Sequence, residues 1–262
     1  ADERRHAIQG GKEGAAMTDY VALSGGVDST ALALLMPHAE LVFTDTGWEF
    51  PELYAHLDRI EAVTGRTITR IQSHRGSLPD IIRLWRIMPG HGVRFCTRES
   101  KIAPFHKYLK GKAPANLCIG LRADEERVGN TGEGLPEGIA IRYPLREMGM
   151  TRRDVVRVCL EHDLLPRYPV YMARGGCVGC FYKRKSEVTA MVHLRPDVMD
   201  ELQALEEEVQ DRREKYAVLF PSIGMSIREF RQQPLLFDVE QVYGDALRRD
   251  EMTPACGLFC NR

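Results

Sequence analysis

The sequence has no apolar run near the ~18–20 residues needed to cross a bilayer, and almost no net charge. Its 36 Lys and Arg stand against 37 Asp and Glu, a formal balance of -1. No global field therefore draws the chain to nucleic acid or to an acidic membrane, and any nucleic-acid contact must rest on local basic patches. Residues 1–16 lack the apolar centre of a signal peptide. They are expected to be a disordered tail or a remnant outside the natural chain, with Met17 as the natural start. Without an export signal, seven cysteines do not argue for a disulfide framework, and a cytoplasmic location is expected. Also missing are the Gly-Lys-Ser/Thr ending of a Walker loop and a second C-x2-C or an H-x3-H to complete an ordinary zinc finger.

What is present is ordinary for a globular protein: 262 residues, 44% apolar and 28% charged. The first half alternates short apolar runs with helical patterns, which predicts a parallel sheet flanked by helices in an α/β fold. Strands are expected at Tyr20–Leu23, Leu41–Phe43, Thr67–Ile71, Leu117–Ile119 and Ile139–Tyr143, the last stopped by Pro144. Helices are expected from Val27 to Leu35, along the Leu53, Leu57, Ile60 and Val63 face, and from Thr151 to His162 with Asp154 completing a capping box. Val198 to Tyr216 reads as a charged helix and a solvated face. The expected division is a nucleotide-binding domain over 17–150 and a smaller, helical, Cys-containing C-terminal region over 151–262.

Ser24-Gly25-Gly26-Val27-Asp28-Ser29 lies where a strand meets a helix. There the helix N-terminus offers unpaired N–H groups and a positive partial charge. Gly25 and Gly26 let the backbone form a concave nest close to phosphates, and the Ser24 and Ser29 hydroxyls add donors. Asp28 would repel a bare phosphate, so its expected role is to hold a bridging Mg²⁺.

The loop resembles the SGGxDS signature of the PP-loop ATP pyrophosphatases, adenine nucleotide alpha hydrolase-like proteins that cleave ATP between the α- and β-phosphates and activate a substrate as its adenylate. Asp45-Thr46-Gly47-Trp48-Glu49-Phe50-Pro51-Glu52 is similar to the DTGxxFPE segment of the phosphoadenylyl-sulfate (PAPS) reductase branch. So are the stretch from Phe95 to Phe105, with Cys96 and Lys101, and Gly120-Leu121-Arg122-Ala123-Asp124-Glu125. The resemblance implies that Asp45, Thr46 and Gly47 border the nucleotide, and that Lys101 and Arg122 contact anions. In the true sulfonucleotide reductases this loop is degenerate; its intact form here implies ATP cleavage.

Cys177-Val178-Gly179-Cys180 could ligate zinc, carry redox chemistry or bind part of an iron–sulfur cluster. Cys96 lies 81 positions before Cys177, resembling the spacing in cluster-bearing adenylyl-sulfate reductases, although Thr97 replaces their second adjacent cysteine. The resemblance thus implies a [4Fe-4S] cluster on Cys96, Cys177 and Cys180. Its fourth ligand would be Cys256 or Cys260, unless one iron stays open to hold sulfur. Ala255-Cys256-Gly257-Leu258-Phe259-Cys260 partly resembles the ECGLH tail of the reductases, which implies Cys256 as a nucleophile. Cys118 and Cys159 read as buried small hydrophobes.

The combined reading is an ATP pyrophosphatase that adenylates an acceptor for sulfur transfer, resembling the corresponding component of DNA phosphorothioation systems. It implies ATP, Mg²⁺ and a cluster as cofactors, a cysteine desulfurase as candidate sulfur donor, and partner proteins presenting nucleic acid. Arg83, Arg86, Arg94, Arg98 and Lys183 to Lys185 would form the local DNA-facing surface. The alternatives are an adenylyl-sulfate or PAPS reductase working with thioredoxin, a tRNA thiolase, and a non-catalytic nucleotide-sensing subunit of a modification complex.

Overall fold

A computed structural model describes residues 17–129, 132–172, 175–210 and 218–234. Strand β1 (Thr18–Leu23) leads through the Ser24–Gly26 turn into α1 (Val27–Leu35), β2 (Glu40–Asp45), α2 (Pro51–Thr64), β3 (Ile68–Gln72) and α3 (Leu78–Trp85). The short α4 (Phe95–Thr97) runs through a π-helical turn at Arg98–Ile102 into α5 (Ala103–Leu109). Strands β4 (Ala115–Cys118) and β5 (Ile139–Arg142) follow. Then come α6 (Pro144–Glu147), α7 (Arg152–Glu161), α8 (Lys185–Leu194), α9 (Pro196–Gln210) and α10 (Ile227–Arg231). All four strand pairings are parallel, in the order β3-β2-β1-β4-β5. The chain builds outward from β1 to one edge, then returns to build the other. The point of reversal, between β1 and β4, opens a crevice at the carboxyl ends of the strands.

Alternation along the central strands divides the core. Val21 and Leu23 of β1, with Leu41 and Phe43 of β2, pack with residues from α1, α2, α3 and α7 to α10. Tyr20, Ala22 and Val42 face the other way, onto Phe105 and Leu109 of α5. A strand sends successive side chains to opposite faces, so a strand covered on both sides must be apolar throughout. That is what Tyr20-Val21-Ala22-Leu23 supplies. The five expected strands are present within a residue or two, and Pro144 ends β5 by opening α6 at its first turn. Thr151 donates through N–H and Oγ1 to Asp154 Oδ2 at 3.0 and 2.7 Å, the expected capping box of α7. Cys118 and Cys159 are fully buried.

Helix α9 departs from the solvated face expected over Val198–Tyr216; residues 211–217 lie outside the described residues. Val198, Met199, Leu202, Leu205 and Val209 are buried, recurring at three- and four-residue intervals, as an amphipathic helix requires. The charges that made the segment look solvated occupy its other faces, with one exception. Glu206 is buried, and its carboxylate accepts the N–H of Leu219 at 2.8 Å and of Ile227 at 2.7 Å. It thereby ties the segment before α10 to α9. No described helix is long and apolar enough to cross a membrane.

Candidate functional site

The Ser24–Ser29 loop sits in the crevice. Ser29 Oγ donates to Gly26 O at 3.1 Å and accepts from Ser24 N–H at 3.1 Å, while the two serine hydroxyls lie 3.0 Å apart. The hydroxyls thus brace the turn from inside. Gly25 adopts φ +75°, and a Cβ there would come within 2.4 Å of Leu53 Cδ1. Glycine is required at this position by conformation and by space alike. Tyr168 donates to Gly25 O at 2.9 Å, and Gly120 brings the segment after β4 against the Asp28 and Ser29 backbone. The loop is therefore held from β1, α2, the end of β4 and the segment after α7.

Asp28, buried at the start of α1, receives Arg122 Nη1 on Oδ2 at 2.7 Å. Arg122 also reaches Asp124 at 2.9 Å and Glu125 at 3.3 Å. Sequence reasoning gave Asp28 to Mg²⁺ and Arg122 to an anion; the structure pairs them with each other. Burial pushes the Asp28 carboxyl above its ordinary value, opposed by Arg122. Asp28 Oδ1 has Arg152 Nη1 at 3.9 Å and no hydrogen-bond partner. One orphaned carboxylate oxygen beside a phosphate loop fits Mg²⁺, which is commonly held by one or two carboxylates plus the substrate's phosphates.

At the end of β2, Asp45 accepts from Gly47 N–H (2.7 Å), Tyr54 (2.7 Å) and Gln72 (3.1 Å). Its lone pairs are thus occupied in shaping the turn. Thr46 donates to Glu49 Oε1 at 2.9 Å, and Gly47 takes φ +65° against Ser77. Glu49 is buried and faces the crevice; burial raises its pKa, with Lys101 opposing. The backbones of Glu49 and Cys177 form an antiparallel bridge, and Val178 N–H donates to Trp48 O at 2.7 Å. The turn after β2 is thereby stitched to the C-x2-C loop, with Gly179 in contact with the Trp48 ring.

The result is a cleft lined by both the phosphate loop and the C-x2-C loop. Ser24 and Gly26 lie on it beside Cys177, Cys180, Lys101 and Lys183. A second, more apolar hollow is lined by Lys101, Cys177, Cys180 and Cys96. Lys101, Cys177 and Cys180 thus face both spaces, the phosphate loop the first and Cys96 the second. Cys180 raises the Cys177 thiol well above its usual range by hydrogen bonding, with burial adding to it; burial raises Cys96. Among the described residues, no group of three or more His, Cys, Asp or Glu side chains is arranged to hold a metal ion. The three expected ligand cysteines, Cys96, Cys177 and Cys180, line one hollow. Cys256 and Cys260 lie outside the described residues.

Of the expected basic surface, Lys183 is buried on the cleft, and Arg83 is engaged by Glu208 at 3.0 Å, with Arg98 engaged by Glu99 at 2.8 Å. Sequence reasoning missed His56, whose Nε2 lies 3.1 Å from Thr30 Oγ1 behind the loop. It missed Tyr168 as well. Neither carries a local motif; only the fold brings them there.

A family described as the phosphoadenosine phosphosulfate reductase domain matches residues 18–184. An adenosine 5'-phosphosulfate reductase of Deinococcus radiodurans is 30% identical over 142 residues, covering 54% of this chain and 55% of that protein. The chain thus spans about half the length of this curated relative. A solved phosphoadenylyl-sulfate (PAPS) reductase from Candida auris, in a phosphate complex, is 16% identical with a TM-score of 0.44, over 56% of this chain and 73% of that one. The family match holds the sheet, the phosphate loop, Lys101, Arg122 and the C-x2-C loop in one continuous span, and the chain belongs to the phosphoadenosine phosphosulfate reductase domain family.

Proposed function

We propose that the chain is an ATP pyrophosphatase that adenylates an oxygen of an acceptor and replaces that oxygen with sulfur. The observation that carries this reading is the intact Ser24–Ser29 loop, at the N-terminus of α1, opening onto the cleft that holds Cys177 and Cys180. The acceptor oxygen attacks the α-phosphorus of ATP and pyrophosphate leaves. Loop amides, the α1 dipole and Lys101 stabilise the charge that develops on it. Mg²⁺ held by Asp28 would supply further neutralisation of that charge.

Sulfur enters as a persulfide on Cys180, the more exposed of the pair, delivered by a persulfide donor such as a cysteine desulfurase. The terminal sulfur attacks the activated atom, AMP departs with the oxygen, and a Cys180–S–S–acceptor bond forms. Cys177 then attacks Cys180 Sγ and releases the thiolated acceptor. The Cys177–Cys180 disulfide left behind is reduced by an external dithiol of the thioredoxin class. In this route the paired thiols Cys177 and Cys180 carry the sulfur. The acceptor this reading favours is a nucleic-acid backbone, presented by partner proteins.

A second reading, reduction of an adenylylated sulfate, is favoured by the family match and by the Deinococcus relative. One experiment separates the two. The protein is incubated with α-labelled ATP, Mg²⁺, persulfide donor and single-stranded DNA, and in parallel with adenosine 5'-phosphosulfate or PAPS plus a dithiol. Labelled AMP and pyrophosphate, without ADP, support the ATP reading. Sulfite formed in the parallel tube without ATP replaces it with the reductase.

A further inference from the structure

Lys183 is the only buried lysine among the described residues, at 5% exposure. Its ammonium donates to Tyr171 O at 2.9 Å, lies 4.8 Å from the Phe50 ring centroid and has Glu187 Oε1 at 4.0 Å. An ammonium has three donors and loses its hydration on burial. One carbonyl, a ring face and a carboxylate at the limit of ion pairing leave it undersupplied. The Glu187 carboxylate is further committed, since Oε2 accepts Arg184 N–H at 3.1 Å and caps α8.

Lys183 and Glu187 line the same cleft as Ser24 and Gly26. The N-termini of α1 and of the ten-residue α8 therefore border one space. On that space the hydroxyl Thr44 Oγ1, from a buried side chain, has no hydrogen-bond partner. The α1 N-terminus, a buried ammonium and the unpaired Thr44 hydroxyl describe a site built for a polar, anionic group.

We infer that Lys183 is a second anchor for the nucleotide's anionic portion, on the cleft that the Ser24–Ser29 loop also lines. Its ligand is the pyrophosphate portion of ATP, or the phosphosulfate portion of a sulfonucleotide if that is the substrate. This rests on the reading that the cleft holds a nucleotide. Lys183 N–H also donates to Cys180 O at 2.9 Å, so an anion drawn to Lys183 engages the thiol loop directly.

The test is calorimetric titration of the full chain and of Lys183→Met and Lys183→Gln with ATP, inorganic pyrophosphate, adenosine 5'-phosphosulfate and AMP, beside a thermal melt. Affinity for ATP and pyrophosphate, or for the phosphosulfate, should fall tenfold or more, with AMP within twofold and the melting temperature unchanged or higher. Equal losses for ATP and AMP, no loss for any ligand, or a lowered melting temperature in both variants would overturn the inference. A wild-type chain that binds adenosine 5'-phosphosulfate but not ATP sinks the ATP reading alone, and the variants then test Lys183 on that ligand.

Discussion

His56 is kept neutral inside the protein: burial behind the loop lowers its pKa to about 4, with Arg59 adding to the shift. In the unfolded chain the ring titrates near 6.5, so between those values the unfolded state binds the extra proton. Stability therefore falls as pH drops from about 6.5 to 4, by up to about 3 kcal/mol from this group. Burial shifts Asp28, Glu49 and Glu206 upward; these carboxyls act in the opposite direction. The readout is thus the difference between wild type and His56→Gln. Chemical denaturation at pH 7 and pH 4.5 should show a smaller loss in the variant. The Asp28–Arg122 pair gives a second prediction at this scale. Arg122→Met strands a buried carboxylate and should cost about 3 kcal/mol, whereas Asp28→Asn with Arg122→Met should recover part of it. A double-mutant cycle by urea denaturation checks this. The partners' separation of 94 positions explains why the sequence showed two candidate site residues but not that they bind each other. The motifs singled out each residue; their pairing belongs to the fold.

Helix α9 shows the same limit one level up. Its buried positions were in plain view as a three- and four-residue rhythm, but the acidic residues between them dominate any average over the segment. Glu206 could not be told from its solvated neighbours, because its partners are backbone N–H groups 13 and 21 positions away. Glu206→Ala should leave those donors buried without acceptors and cost about 2–4 kcal/mol, read as a lower urea midpoint with nucleotide affinity unchanged. By contrast, β1, its turn and α1 were legible almost to the residue. A doubly covered strand is uniformly apolar, and the turn that follows needs glycine and small hydroxyls. Gly25→Ala tests that turn. With φ +75° and Leu53 in the way, the loop must shift, and ATP affinity should fall at least tenfold by calorimetry, while the far-UV circular dichroism is retained.

Across the whole molecule, two segments nearly 130 positions apart are joined at the Trp48–Val178 and Glu49–Cys177 backbone contacts. Motif reading placed the first beside the nucleotide and gave the second to metal or thiol chemistry, but could not show that they share main-chain hydrogen bonds. The join has an optical consequence. The chain has two tryptophans: the Trp48 ring touches Gly179 between the paired thiols, and Trp85 packs tilted against Phe95, ring centroids 5.1 Å apart, next to Cys96. Both indoles flank sulfur-bearing segments. Oxidation, persulfuration or alkylation of those cysteines should therefore alter intrinsic emission, and Trp48→Phe and Trp85→Phe divide the signal between the two cysteine-bearing segments. The protein carries its own fluorescent gauge of thiol state, readable during turnover without a label.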